Sequence, residues 1–322
     1  MRRLRLMFTL LVVVAIFVVV GVVAWHHKDD LLPFAEGCHA EVGGHRVDLD
    51  LEQAQNAALI SAVSVQRGLP PRAATIALAT AFQESKLRNL EHGDRDSIGL
   101  FQQRPSQGWG TRDQILDPYY SINRFYDALV KVDGYTEMEI TDAAQEVQRS
   151  AFPGAYADHE ADARALASAL TGETTGGAFT CQIRDDAEPA STKLNSRGLT
   201  RRAETVRKEL LGVFGDVSLG GFEPGGARSG HMTGSAHYDG RAIDIFVRPV
   251  SPANKQRGWA IAAYLVAQAG RLDIQHVIFD NKIWTAGRAS SDGWRAYHVP
   301  SGSSGSRVIL EHRDHVHVDV AP

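Results

Sequence analysis

Histidine and aspartate side chains stand in two stretches of this sequence that otherwise read as core strands. The stretch SAHYDGRAIDIF places His237 and Asp244 among small and branched apolar residues. The stretch HRDHVHVDV alternates His315, His317 and Asp319 with valines. Residues two apart on a strand share one face, so these polar side chains project together while the valines enter the core. Two imidazoles and a carboxylate that converge with one coordination position open form a catalytic zinc site.

Each stretch taken alone has a simpler explanation. An H-x-H pair on a strand is more often a surface or hydrogen-bonded pair than a metal site. A histidine seven residues before an aspartate is an even weaker indication of a metal site. Together, however, they resemble the zinc-peptidase superfamily of D-alanyl-D-alanine carboxypeptidases, lysostaphin-type endopeptidases and the hedgehog signalling domain. The resemblance covers roughly residues 200–322, and SAHYDGRAIDI contains every fixed position of that superfamily's Ser-x-His-x-x-Gly-x-Ala-x-Asp motif.

The resemblance assigns a role to five residues of this chain. It implies that His237, Asp244 and His317 are the zinc ligands. His315, the first histidine of the H-x-H pair, is expected beside the metal, where it helps to hold the developing oxyanion. Asp314 lies three residues before His317, at the position of the acidic general base in the carboxypeptidase branch. Zinc lowers the pKa of its bound water to about 7, and Asp314 is expected to take the proton.

The superfamily also has an upstream arginine that binds substrate or polarises the scissile carbonyl. Arg228, in GGARSG, is the nearest candidate, although it lies closer to His237 than the pattern usually has it. Three other histidines of this region are expected to be surface residues: His231, His298 and His312.

A second chemical signal is a carboxyl group at the end of an apolar helix. The stretch PRAATIALATAFQES is apolar on nearly every face and ends at Glu84 and Ser85. Partial desolvation and the negative end of the helix dipole both disfavour the anion, so they are expected to raise the pKa of Glu84. Such a group can protonate a glycosidic oxygen as a general acid. A frayed, solvated helix end is the competing interpretation.

The residues that follow Glu84 favour the general acid. ESKL and DSIGLFQQ resemble the Glu-Ser and Gly-Leu-Met-Gln motifs of lysozyme-like lytic transglycosylases, over about residues 50–170. The resemblance implies that Gln102 and Gln103 line the substrate site. The resemblance also assigns Tyr156, in SAFPGAYADH, to the substrate site. This assignment is weaker, because the Asn and Gly of that fold's Ala-Tyr-Asn-Ala-Gly segment are missing.

The type of glycan cleavage stays open. A transglycosylase needs one carboxyl group, because the sugar's own hydroxyl attacks intramolecularly. A hydrolytic lysozyme would need a second acid, and Asp94 and Asp96 are available for that role.

The elements that must position these residues fall into two regions. Residues 50–170 read as helices, with Ala54, Ala58 and Ala62 at helical spacing and no run of period two. After a stretch rich in Gly, Thr, Asp and Ser, segments with helical periodicity alternate with segments of strand periodicity. This pattern predicts an α+β region with an antiparallel sheet. The expected elements there are helices at 200–213 and 252–269, and strands at 217–222, 242–247, 276–284 and 315–320.

The N-terminus predicts an exported protein. Residues 6–25 form an almost uninterrupted apolar run of 20 residues, preceded by three arginines. As a helix the run would be about 30 Å long, which matches the hydrocarbon core of a bilayer. The arginines predict a cytoplasmic N-terminus with the remainder outside the membrane. An uncleaved anchor is expected, and a cleaved signal peptide, which would give a secreted protein, is the alternative.

The expected fold class is therefore a multidomain chain with an N-terminal membrane helix, a mainly α lysozyme-like domain and an α+β domain with an antiparallel sheet, hedgehog- or D-Ala-D-Ala-peptidase-like. The expected organisation is an anchor or signal segment (1–30), a linker (31–48), a glycan-cleaving domain (49–172), a second linker (173–196) and a zinc-peptidase domain (197–322).

Composition and cysteines add two expectations. The formal net charge of −4 gives no electrostatic case for nucleic acid as a partner. Cys38 and Cys181 are both expected outside the membrane, where a disulfide between them is the default.

The two resemblances meet on one polymer, peptidoglycan. One region is suited to its glycan strands and the other to its stem or cross-link peptides. The expected function is a bifunctional peptidoglycan hydrolase with a zinc cofactor. The alternative is a catalytically inactive wall-binding or scaffold protein that uses both folds.

Overall fold

A small antiparallel sheet joins residues from both sides of the helical region. In the computed structural model, which describes residues 35–150 and 154–322, strands β1 (Gly37–Val42) and β2 (His45–Leu49) form a hairpin, and β3 (Phe179–Gln182) pairs with the other edge of β1. The register places Cys38 opposite Cys181, and the two form a disulfide, which confirms the predicted pair.

Helices dominate the chain between these strands. The buried helix that carries Glu84 begins with Pro70 and Pro71, whose fixed φ suits a first helical turn, and it ends where Lys86 adopts a left-handed conformation. Eleven of its 15 residues are buried, in line with the apolar pattern. The helices of this region are α1 (Leu51–Gln66), α2 (Pro71–Ser85), α3 (Arg112–Ile115), α4 (Pro118–Leu129), α5 (Ile140–Gln148) and α6 (Glu160–Leu170).

A larger antiparallel sheet dominates the remainder of the chain. Its strand order is β4-β5-β9-β6-β7-β8, so the neighbouring strands β5 and β9 come from distant parts of the sequence. The elements here are α7 (Arg201–Phe214), β4 (Ser218–Gly220), β5 (Ala242–Phe246), α8 (Pro252–Ala267), α9 (Ala269–Leu272), β6 (Ile274–Phe279), β7 (Lys282–Thr285), β8 (Arg295–Ala296), α10 (Arg307–Leu310) and β9 (His315–Val320).

The strand predicted at 276–284 is instead a hairpin. It comprises β6 and β7, which pair antiparallel across Asp280 and Asn281. Both turn residues have positive φ, 47° and 62°. Two such residues in succession are typical of a type I′ turn, and Asp and Asn tolerate this conformation better than most residues.

The two regions pack directly against each other. Gln268, at the end of α8, donates to the Gln55 carbonyl of α1 (3.2 Å). The Trp284 indole of β7 donates to the Cys181 carbonyl of β3 (3.0 Å). Gly172, just after α6, approaches α8 so closely that an added Cβ would lie 2.0 Å from the Gln256 carbonyl oxygen.

These contacts correct the expected fold class. Residues Glu36–Pro322 form one compact unit, so the prediction of a multidomain chain with separate helical and α+β domains was wrong. The stretches expected to be linkers, 31–48 and 173–196, instead contain nearly all of the small antiparallel sheet. Sequence patterns missed both features because short strands, and packing between distant regions of the chain, leave little periodic signal.

The predicted membrane segment, 1–30, lies outside the described residues. Among residues 35–150 and 154–322, no helix combines the length and the apolar character needed to cross a bilayer.

Candidate metal centre

The three predicted zinc ligands meet on one face of the larger sheet. Asp244 of β5 lies directly opposite His317 of β9 in the antiparallel register, so their side chains share a face. His237 reaches the same place from the turn that precedes β5. The opposite face carries Ile243 and Val318, which are buried in the core. The alternation of polar and apolar residues thus places the site above a packed apolar layer.

The potential ligand atoms form a nearly equilateral triangle. His237 Nε2 lies 3.0 Å from His317 Nδ1, and each of these nitrogens lies 3.2 Å from Asp244 Oδ1. Zinc–nitrogen and zinc–oxygen bonds of about 2.0–2.1 Å in a tetrahedron separate neighbouring ligand atoms by about 3.3 Å. All three side chains are buried. The donor set and its dimensions therefore fit a zinc ion, with one coordination position left for water or substrate.

Each histidine ligand is oriented by a second hydrogen bond. Nδ1 of His237 lies 2.7 Å from the Gly221 carbonyl oxygen, which leaves Nε2 free to bind a metal. Nε2 of His317 lies 3.3 Å from Asp319, which also accepts from His276 (2.9 Å). Outer partners of this kind set the tautomer and ring orientation of metal-binding histidines. Gly221 must be glycine, because a Cβ there would lie 2.3 Å from the His237 ring.

The protonation of this cluster follows from its hydrogen bonds. Burial raises the pKa of Asp244, but bonds from His237 and His317 outweigh it and hold that pKa well below its ordinary value. Burial lowers the pKa of His317, whereas bonds to Asp244 and Asp319 raise it to about 9. Without a metal His317 therefore carries a proton at neutral pH, which a metal ion bound there would have to displace.

Asp314 and His315 form a hydrogen-bonded pair beside the ligands. His315 Nδ1 lies 2.8 Å from Asp314 Oδ1, and the other oxygen of Asp314 accepts from Arg248 Nε (2.6 Å). The remaining nitrogen of His315, Nε2, lies 3.9 Å from Asp244 Oδ1. Asp314 was predicted as the general base, but both of its oxygens accept hydrogen bonds and it does not line the cavity that contains the ligands. His315 is the member of the pair that faces the ligands.

The ligands stand at the floor of a cavity of about 520 Å³. Residues of its wall include Phe246, Arg248, Tyr297, Ile309, His231 and His312.

Two of these histidines correct the sequence prediction. His231 and His312 were expected on the surface, yet both line the cavity, whereas His298 is exposed as expected. Burial and the neighbouring His317 and His315 lower the pKa of His312 to about 2, so this ring is neutral at ordinary pH.

A second grouping of possible ligands overlaps the first. One nitrogen each of His231 and His237 and one oxygen of Asp244 lie within 4.8 Å of one another. The set that contains His317 is tighter, since all its separations are 3.2 Å or less. We therefore take His237, Asp244 and His317 as the primary ligand set.

The arginine of the cavity is not the one predicted. Arg228 is exposed and lies outside the cavity lining, whereas Arg248 lines it. The Arg248 guanidinium lies 4.1 Å from the Phe246 ring centroid, and its side chain is 48% exposed. The period-two rule could have found it, because Asp244, Phe246 and Arg248 continue one face of β5 and its extension.

The structure brings together the predicted general acid and Tyr156. Glu84 is half-buried at the end of α2, and the Tyr156 hydroxyl donates to its Oε1 (2.8 Å). Tyr156 is itself buried, and burial raises the pKa of its phenol, which stays protonated as a donor. Ser85, the neighbour of Glu84, donates to the Leu100 carbonyl (2.7 Å). This bond connects the end of α2 to the turn at residues 99–101.

The two glutamines occupy different environments. Gln102 is half-buried and donates weakly to the carbonyls of His92 and Gly99 (3.4 and 3.2 Å). Gln103 is only 2% exposed and donates to the Ser121 carbonyl (3.2 Å), so its contacts are those of a core residue.

The candidates for a second acid also differ. Asp94 is exposed, with 93% of its side chain accessible. Asp96 accepts from the Ser106 backbone and from Arg104, and these bonds hold its pKa well below the ordinary value. Asp96 is therefore ionised, as a stabilising carboxylate of a hydrolytic enzyme must be.

Comparison with known families covers part of the metal site. A family model described as the VldE C-terminal domain matches residues 195–307. The match is less than half of the chain; it includes His237 and Asp244 and ends before His315 and His317. That description names no activity. No curated protein matches this chain in sequence.

Proposed function

We propose that this protein is a zinc-dependent peptidase that acts on the peptides of bacterial cell-wall peptidoglycan. The observation that carries the proposal is the buried triangle of His237 Nε2, Asp244 Oδ1 and His317 Nδ1, whose 3.0–3.2 Å sides match the face of a zinc tetrahedron. Cell wall as the substrate rests on the resemblance of both regions to wall-cleaving enzymes.

The residues around the triangle have separate roles in the proposed peptide cleavage. A zinc ion held there would lower the pKa of a bound water to about 7 and polarise the scissile carbonyl. With the metal bound, His315 would act at Nε2 as the general base for the water and then as the general acid for the leaving amine. Asp314 orients His315 by accepting a hydrogen bond from its Nδ1. Arg248, anchored by Asp314, directs its remaining N–H groups to a substrate oxygen.

A second activity, glycan cleavage, is favoured by the hydrogen bond between Tyr156 and Glu84. The phenol fixes Oε1 of Glu84, so Oε2 can carry the proton that a glycosidic oxygen receives in general acid catalysis. The disulfide between Cys38 and Cys181 supports a location in an oxidising compartment outside the cytoplasm, where peptidoglycan is found.

One experiment tests both activities. The purified protein is incubated with peptidoglycan, and released peptides and glycan ends are identified by mass spectrometry. Chelation or His317→Ala is expected to abolish peptide cleavage and to spare glycan cleavage. Glu84→Gln keeps the shape of the side chain but removes the proton donor, so glycan cleavage should fall about 10²-fold or more while peptide cleavage continues.

Matched variants control for general damage. His298→Ala removes an exposed histidine outside the cavity, and Glu91→Gln changes an exposed glutamate, so both should retain full activity. A protein that binds peptidoglycan but cuts neither bond would overturn the enzyme proposal in favour of a wall-binding scaffold. Anhydro-muramyl ends would indicate a transglycosylase, and reducing ends a lysozyme.

A further inference from the structure

His231 stands beside the ligand triangle without belonging to it. Its ring stacks on the ring of His237, with centroids 3.9 Å apart and planes 18° from parallel. One of its nitrogens lies within 4.8 Å of the ligand atoms of His237 and Asp244. The side chain is half-buried and lines the cavity.

Two glycines and the Tyr238 hydroxyl surround the backbone of His231. Gly230 and Gly234 flank it with φ of 88° and 79°, and an added Cβ at either would meet nothing within 4 Å. The hydroxyl of Tyr238 accepts from the His231 amide (3.1 Å) and donates to the His231 carbonyl (2.6 Å). Tyr238 belongs to the same turn as His237, so the loop is tethered to a ligand while the space around its glycines stays open.

A fourth ligand atom of a tetrahedral zinc ion would lie about 3.3 Å from each of the other three. Since the His231 nitrogen lies within 4.8 Å of the atoms of His237 and Asp244, a shift of about 1.5 Å or less along each of these two separations brings it to that distance from both. His315 is less suited to such a shift, because it lies on a central strand and Asp314 holds its Nδ1.

We infer that His231 is a displaceable fourth protein ligand, which closes the metal site without substrate and withdraws when a substrate oxygen enters. The inference rests on the zinc site of the proposed function. Sites with four protein ligands are closed, whereas catalytic sites keep one position for water or substrate. The glycine-flanked loop lets one site alternate between the two arrangements, so that the resting protein is latent.

Two variants separate ligation from packing. His231→Ala removes both the nitrogen and the ring, whereas His231→Phe keeps a ring to stack on His237 but offers no ligand. His298→Ala is the control. The probes are zinc alone, with affinity measured by competition against a chelator, and cobalt(II), whose visible absorption reports the number and type of ligands.

The expected result is the same change in both His231 variants. Zinc affinity should fall about 10-fold or more, the scale of losses around metal sites, and the cobalt spectrum should change, while His298→Ala matches the unaltered protein. Retained affinity and an unchanged cobalt spectrum in His231→Phe overturn the inference, since they show that stacking alone matters. If the unaltered protein binds neither ion, the proposed zinc site itself fails, and that outcome is distinct.

Discussion

At the scale of single residues, the pKa of His317 determines how proton binding at this site depends on pH. His317 has an ordinary pKa of 6.5, which burial lowers but the bonds to Asp244 and Asp319 raise to about 9. The folded chain therefore holds this proton more tightly than the unfolded chain. The resulting contribution to stability is complete below pH 6.5 and is lost as pH rises through about 9. Zinc binding has the opposite dependence, because the imidazole must be neutral to bind the metal.

Metal-free and zinc-bound proteins should thus respond oppositely to alkaline pH. Between pH 6.5 and about 9 we expect the free energy of unfolding of the metal-free protein to fall and the zinc affinity to rise. Urea unfolding with chelator, and zinc titration, measure the two quantities. His317→Asn has no group that titrates here, so it should flatten the stability profile; an unaltered slope in that variant would contradict the assignment.

At the scale of elements, the site depends on strands that only pairing brings together. Strands β5 and β9 are interior neighbours in the larger sheet, and their register sets Asp244 against His317. In the smaller sheet, β1 and β3 are set by the same kind of register, which places Cys38 against Cys181. The disulfide closes a sequence separation of 143 residues.

Loss of that disulfide should be costly for stability. In the chain-entropy model a loop of this length contributes up to about 5 kcal/mol. We expect Cys38→Ala/Cys181→Ala to lower the free energy of unfolding in urea by a large part of that amount. Zinc stoichiometry should be unchanged, because the proposed ligands lie on the larger sheet or in the turn that precedes β5. Two reactive thiols in the unreduced, unfolded protein would contradict the pairing.

The whole molecule is held together by contacts between its two regions. Gly172 has φ of 72°, and an added Cβ would lie 2.0 Å from the Gln256 carbonyl of α8. Gly134 has nearly the same φ, 73°, but an added Cβ there would meet nothing within 4 Å. Alanine at either position would adopt the same unfavourable φ. Only alanine at position 172 would also clash with α8.

This pair gives a direct test of the compact unit. Gly172→Ala should destabilise the protein by about 1–3 kcal/mol more than Gly134→Ala, the usual cost of overpacking. Calorimetry of residues 35–322 should show one transition, which the Gly172 variant moves as a whole. Two transitions, of which only one moves, would show that the regions unfold independently.

The sequence by itself determined the local features of this protein. The alternation of His315 and His317 with valines, and of Asp244 with isoleucines, identifies which side chains leave the core, because a strand has a period of two. The apolar helix before Glu84 and the pairing of Cys38 with Cys181 could also be predicted, since helix periodicity and the presence of two cysteines are local or compositional signals.

Only the tertiary structure decided how distant residues meet. The orienting carbonyl of Gly221, the anchoring of Arg248 by Asp314 and the stacking of His231 on His237 depend on loops whose paths have no periodic signal. The joining of two regions into one unit has the same origin, because side chains such as Trp284 show what they pack against only after the chain has folded. Local patterns record which face is buried, whereas long-range packing determines what lies against it.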